Sequence, residues 1–175
     1  MRYMMLALGT IVTLHITAGA HAAVAQASAA PAGKASQGTD LHACSLLTDA
    51  DIARIKGTPN PLNVPPDRTD MPDGASTCNF VGLDLTLTPR VTTQNFESNR
   101  KSAAQQPSTT TEPTTGVGEE AYFYVRTRQS SSNVGIVFRA GTYQVALGDR
   151  VRSDSVAWFK PKLVELAKVA AAKLR

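Results

Sequence analysis

Two cysteines, Cys44 and Cys78, are the only residues of the chain able to form a covalent crosslink with each other. Cys44 opens Cys-Ser-Leu-Leu-Thr-Asp-Ala-Asp-Ile, which reads as the start of a helix. Cys78 lies in Ser-Thr-Cys-Asn-Phe-Val, which reads as a strand. A bond between them ties helix to strand and pins the proline-rich stretch that separates them. In the chain-entropy view a loop of this size contributes roughly 3–4 kcal/mol. The bond requires the two Cα atoms to approach within about 7 Å.

A second group able to do chemistry is a row of alternating residues. Tyr122, Tyr124, Arg126 and Arg128 point one way from a strand while Ala121, Phe123 and Val125 point the other. Aromatic and arginine side chains are over-represented at recognition surfaces. The row is therefore a candidate binding face for a small anionic ligand or a partner's acidic segment. The competing reading is an ordinary sheet face, because any half-buried strand alternates in this way.

The remaining reactive residues form no clear catalytic set. Asp49 and Asp51 are two apart on a helix and do not face each other, so capping is the favoured reading. Glu119 with Glu120, or Asp149 with Asp154, are the carboxylates open to a hydrolase, and nothing singles them out. After loss of the N-terminal segment, His42 is the one histidine left. A Ser/His/Asp or Cys/His site would need it, and a disulfide-bonded Cys44 is no nucleophile. No cluster has zinc or calcium spacing. Gly116-Val117-Gly118 lacks the third glycine and the strand-to-helix setting of a phosphate loop. The chain is read as non-catalytic, with no cofactor and no metal.

The elements that must position these residues begin after an export signal. Arg2 precedes an apolar run, Met4 to Ile16, too short for a membrane span of roughly 20 residues. Ala20-His21-Ala22 and Ala23-Val24-Ala25 both have the small-x-small form of a cleavage site. Residues 1–25 are read as a signal peptide, 26–41 as a disordered linker and 42–175 as a single α+β domain. Export places the mature chain in the periplasm or outside the cell, where a cysteine pair is oxidised. Leu41-His42-Ala43-Cys44 also has the form of a lipoprotein cleavage box, but it stands far from the apolar run. Lipidation of Cys44 would leave Cys78 unpaired. The whole chain carries a net charge of +4 and loses one charge with Arg2. That balance is no argument for nucleic acid, and the mature chain has no integral membrane segment.

The expected fold is an antiparallel sheet of about five strands with a short N-terminal helix, a middle helix and a C-terminal amphipathic helix packed on it. The first helix runs from Asp49 to Lys56, with Thr48 as N-cap and Gly57 at its end. Residues 58–74 hold five prolines and read as a long irregular loop, a second candidate binding region. Ser76 to Val81 pairs with Leu83 to Thr88, where Leu83, Leu85 and Leu87 alternate with polar residues. A polar helix over 96–105 is followed by a threonine-rich linker, 108–115. Ala121 to Arg128, Val134 to Arg139 and Tyr143 to Leu147 complete the sheet, the last two as a hairpin about Ala140-Gly141-Thr142. Phe159, Leu163, Leu166, Ala167, Ala170 and Leu174 make one apolar stripe on the final helix. Pro161 either opens that helix or lies inside a longer one that starts near Ser155. A membrane-binding helix shares this pattern with one docked on its own sheet, and the docked helix is favoured.

This order resembles a group of small secreted bacterial domains of unknown function. They are known as actinobacterial lipoproteins and as the extracellular sensor domain of a mycobacterial serine/threonine kinase. The resemblance rests on Cys44-x-Leu-Leu-Thr with a short helix ending at Gly57, and on Ser76-Thr77-Cys78 before a strand. It rests further on Gly116-Val117-Gly118-Glu119-Glu120-Ala121 before another strand, and on the closing helix. It spans residues 42 to 174, and the chain departs from it in lacking a lipobox beside the apolar run. The resemblance implies an envelope module that binds something outside the cell, and it brings no catalytic residues. The expected function is a secreted or periplasmic binding or sensor-like domain. The alternatives are an inhibitor or structural partner acting through loop 58–74, or a carboxylate-dependent hydrolase.

Overall fold

The structure is a computed structural model that describes residues 41–57 and 64–175. The segment read as a signal peptide, nearly all of the stretch read as a linker and residues 58–63 of the proline-rich stretch lie outside the described residues.

Thr48 and Asp51 form a reciprocal cap. The Asp51 N–H donates to Thr48 Oγ1 at 3.1 Å, and the Thr48 N–H donates to Asp51 Oδ2 at 3.1 Å. This starts α2 (Asp49–Lys56), and Gly57 ends it with φ +76° and an N–H bond to the Ala53 carbonyl. The hydrogen bond from Thr48 holds the Asp51 carboxyl below its usual range. Ahead of it lies α1 (Ala43–Leu46), a single turn that sequence reading merged with α2.

Seven strands, all antiparallel, form one sheet among the described residues: β1 (Asp67–Asp70), β2 (Ser76–Phe80), β3 (Leu83–Thr88), β4 (Thr109–Thr114), β5 (Glu120–Arg128), β6 (Ser131–Ala140) and β7 (Tyr143–Arg152). Their spatial order is β1-β2-β3-β7-β6-β5-β4. The chain builds one meander, crosses through α3 (Thr93–Ala104) to the opposite edge, and builds a second that returns to lie beside β3.

The expectation of about five strands is corrected by two. Both extra strands are edges. β1 occupies part of the stretch read as an irregular loop, and all four of its residues are exposed. β4 occupies the stretch read as a threonine-rich linker. An edge strand buries little, so its apolar alternation is weak or missing.

The two faces of the sheet are covered unequally. On one, α4 (Val156–Ala172) lays Phe159, Leu163, Leu166, Ala167 and Ala170 fully buried over the inward residues of β6 and β7. α1 and α2 share this layer. Pro161 lies inside α4, which settles the choice for the longer helix. A short 3₁₀ turn, Ser153–Ser155, leads into it. Among the described residues the opposite face carries only α3, capped by Thr92 and Asn95. A small second core of Val91, Phe96, Tyr122 and Val137 fixes α3 to the sheet. Cys44 and Cys78 are joined in a disulfide with their Cα atoms 5.1 Å apart, as expected, tying α1 to β2. No helix among the described residues is long and apolar enough to cross a membrane.

Lys56 welds the two layers together. Its ammonium reaches Asp149 Oδ2 at 2.9 Å, contacts the Gly82 carbonyl and sits 5.2 Å from the centre of the Phe159 ring. The lysine side chain is 9% exposed and the aspartate 19%, so neither charge is well hydrated.

Candidate functional site

The half-covered face positions the predicted row. On β5, Tyr122, Tyr124, Arg126 and Arg128 alternate outward, as read from the sequence. The four do not share one environment. Tyr122 is 3% exposed and meets Phe96 edge-on, with ring centres 5.4 Å apart. It belongs to the core beneath α3, and burial first, then Tyr124, pushes its phenol up to about 12. Arg128 is exposed at the far end of the strand.

Tyr124 lies between these extremes, and its seat is the most specific feature of the face. Cross-strand register places Asp84, Gly148, Gly135 and Tyr124 in one row over four neighbouring strands. The Tyr124 ring lies across the two glycines. A Cβ added at Gly135 would stand 2.6 Å from its phenol oxygen, and one at Gly148 would stand 2.7 Å from the same atom. Neither glycine has a positive φ. They are required by the ring above them and not by their backbone. A glycine inside a strand weakens it, and often marks a close approach of this kind. Burial also raises the Tyr124 phenol, with the Asp84 carboxylate as a second cause.

Beside this seat opens a cleft of about 450 Å³. The C-terminal end of α3, at Ala103, walls one side. Tyr122, Val137 and Ala146 make an apolar floor at that end. Arg126, Asn133 and Arg150 line the other end, and these three share a single register row. Asp84 stands at the β3 side. Tyr122, Tyr124 and Arg126 therefore come together around one cleft, whereas Arg128 does not line it.

Sequence reading missed Arg150, Asn133 and Asp84. It also missed the glycine pair, for which the available signal was a glycine in the middle of each of two apolar strand patterns.

Partial burial is the larger cause that raises the Asp84 carboxyl, and the nearby Asp149 adds to it. A carboxyl whose folded pKa exceeds its unfolded one favours folding below the unfolded value, and that advantage is lost as pH rises through the folded value. Asp84→Asn is therefore expected to raise the urea midpoint at pH 7 and leave it unchanged near pH 2.5. The gain is on the order of a few tenths of a kcal/mol, because much of the carboxylate faces water. A lower midpoint at pH 7 would contradict this account.

The carboxylates open to a hydrolase are held elsewhere. Arg139 binds Glu119 Oε2 at 2.6 Å through Nη2 and Glu120 Oε2 at 2.9 Å through Nε. The hydrogen bond that Arg139 donates to Glu120 is the first cause that raises its guanidinium. Asp149 is taken by Lys56, and Asp154 pairs with Arg152 at 3.1 Å. His42 precedes α1, with its Nδ1 buried and without a hydrogen-bond partner among the described residues. Among the described residues, no three His, Cys, Asp or Glu side chains are placed together to hold a metal ion. No family model matches this chain, and no curated protein matches it.

Proposed function

We propose that the chain is an exported binding domain, stapled by its disulfide, whose ligand or partner occupies the cleft on the half-covered face. The single observation that carries this reading is the cleft itself. An α-helix covers one half of the sheet face, and among the described residues the other half stays open over a tyrosine seated on two glycines. Ligand sites are concave, with an apolar lining and a few convergent polar groups. The face fits that description, with Tyr122, Tyr124 and Arg126 around it and Arg128 beyond the rim. The disulfide supports an oxidising compartment. The resemblance to lipoproteins and to an extracellular kinase sensor domain belongs to the same reading.

Affinity purification of the mature protein from its own envelope tests it, with Tyr124→Ala and the double variant Arg126→Ala, Arg128→Ala run in parallel. Wild type should retain a partner or a small molecule, and Tyr124→Ala should lose at least about 90% of it. The double variant should lose retention in proportion to the ligand's charge. Equal retention by all three proteins would remove this face from the function.

A further inference from the structure

Extending the register by one further row exposes an arrangement invisible along any single strand. Arg126 pairs with Asn133 and Asn133 with Arg150; two residues outward, Arg128 pairs with Ser131 and Ser131 with Arg152. Residues two apart on a strand, and residues directly opposite across a ladder, share a face. The six positions thus form a grid, with an arginine at each corner and Asn133 and Ser131 between them. From sheet spacings the arginine columns stand about 10 Å apart at the backbone and the rows about 7 Å apart.

Little of this charge is neutralised. Only Arg152 has a carboxylate partner, Asp154. Among the described residues no carboxylate lies within ion-pair distance of Arg126, Arg128 or Arg150. Arg150 donates through Nε to Ser131 Oγ at 3.1 Å, a bond that steadies its guanidinium and leaves its terminal nitrogens without a carboxylate. Arginine forks match phosphate and carboxylate oxygens in pairs.

The grid adjoins the cleft. Arg126 and Arg150 belong to both, and the apolar floor lies at the opposite end, beneath α3. Asp84 flanks the cleft on the β3 side. A negatively charged group is repelled there and drawn toward the arginines, so the electrostatics orient a ligand as well as attract it.

Resting on the cleft reading above, we infer that the ligand is an amphipathic anion: a flat or aliphatic apolar body lies under α3 beside Tyr124, and a phosphate- or carboxylate-type head sits on Arg126 and Arg150. Arg128 and Arg152 form an outer row that raises the local concentration of anions.

Three probes separate the parts of this claim: 2-naphthyl phosphate for body and head together, 2-naphthol for the body and inorganic pyrophosphate for the head. Each is titrated into the oxidised domain while the backbone amide signals of Gly135 and Gly148 are followed by NMR. The naphthyl phosphate should bind at least about tenfold more tightly than either other probe. The variant Arg126→Ala, Arg150→Ala should erase that advantage and leave 2-naphthol binding unchanged. Asp84→Asn should tighten the phosphate and leave the naphthol alone. Equal affinity of naphthol and naphthyl phosphate, both moving the two glycine signals, would overturn the anionic assignment while the cleft stands. Pyrophosphate binding as tightly as the naphthyl phosphate would overturn the amphipathic assignment. Failure of every probe to move the glycine signals would overturn both the inference and the cleft reading beneath it.

Discussion

Reducing the bond between Cys44 and Cys78 is expected to lower folding stability by roughly 4 kcal/mol. The two residues are 34 apart, and the loop they close contains β1 and the proline-rich stretch. Without the crosslink the unfolded chain regains the freedom of that whole loop. The folded state gains nothing in exchange, because α1 is too short to stand alone. Apart from the staple, α1 is held by the Ala43 N–H donating to Ser76 Oγ at 2.8 Å, by Lys173 Nζ donating to the Ser45 carbonyl at 3.3 Å, and by burial of Ala43, Leu46 and Leu47. Urea unfolding of the oxidised and the reduced protein measures the effect directly, with a fall in midpoint of roughly 2 M expected from ordinary urea sensitivities. Cys44→Ala with Cys78→Ala should do at least as much, since truncating the fully buried Cys78 removes packing too. Coincident curves for oxidised and reduced protein would mean that the fold does not depend on the staple.

The same region shows what the sequence could and could not reveal. The cap of Thr48 and Asp51, the stop at Gly57 and the alternation of Leu83, Leu85 and Leu87 are local patterns, and each is found where the residues imply. β1 and β4 escaped because neither buries a face; their pairing is backbone hydrogen bonding at the sheet edges, which Asp, Arg, Thr and Pro side chains do not announce. The hairpin of β6 and β7 was read too short for a related reason. Its apolar part ends near Val134 and Leu147, but the ladder runs on to Ser131 and Arg152.

That shortening hid the candidate site. Tyr122, Tyr124, Arg126 and Arg128 could be picked out along one strand. Arg150 and Arg152 join them only once the register of β7 on β6 is known, and a two-residue turn at Gly141-Thr142 fixes that register. The alternation on β5 was correctly phased, but it could not tell that α3 buries Tyr122 and leaves Arg126 at an open rim. Coverage by a helix from elsewhere in the chain is a tertiary fact, and period-two patterning carries no information about it.

Gly118→Ala is expected to destabilise the domain by roughly 3 kcal/mol, far from the cleft and for reasons of backbone alone. Gly118 has φ +57°, a left-handed conformation that costs a residue with a side chain about 1–2 kcal/mol. A Cβ there would also run into the carbonyl of Arg139, standing 3.1 Å from the carbonyl carbon. Neither group can step aside cheaply. The Glu119 N–H donates to that same carbonyl at 2.8 Å, the Gly141 N–H donates to Glu119 Oε1 at 2.9 Å, and Arg139 is clamped by Glu119 and Glu120. Gly116 is the internal control. It too has a positive φ, +82°, but an added Cβ meets nothing within 4 Å. Gly116→Ala should therefore pay only the conformational part, about 1 kcal/mol. Urea midpoints of the two variants measure the difference, and equal losses would show that the contact with Arg139 does not decide the outcome. The pair also separates stability from recognition. Glu120 begins β5 and Arg128 ends it, so the clasp and the arginine grid lie at opposite ends of the strand. Gly118→Ala that remains folded should bind 2-naphthyl phosphate as wild type does, whereas Arg126→Ala with Arg150→Ala should unfold as wild type does and bind it only as weakly as 2-naphthol.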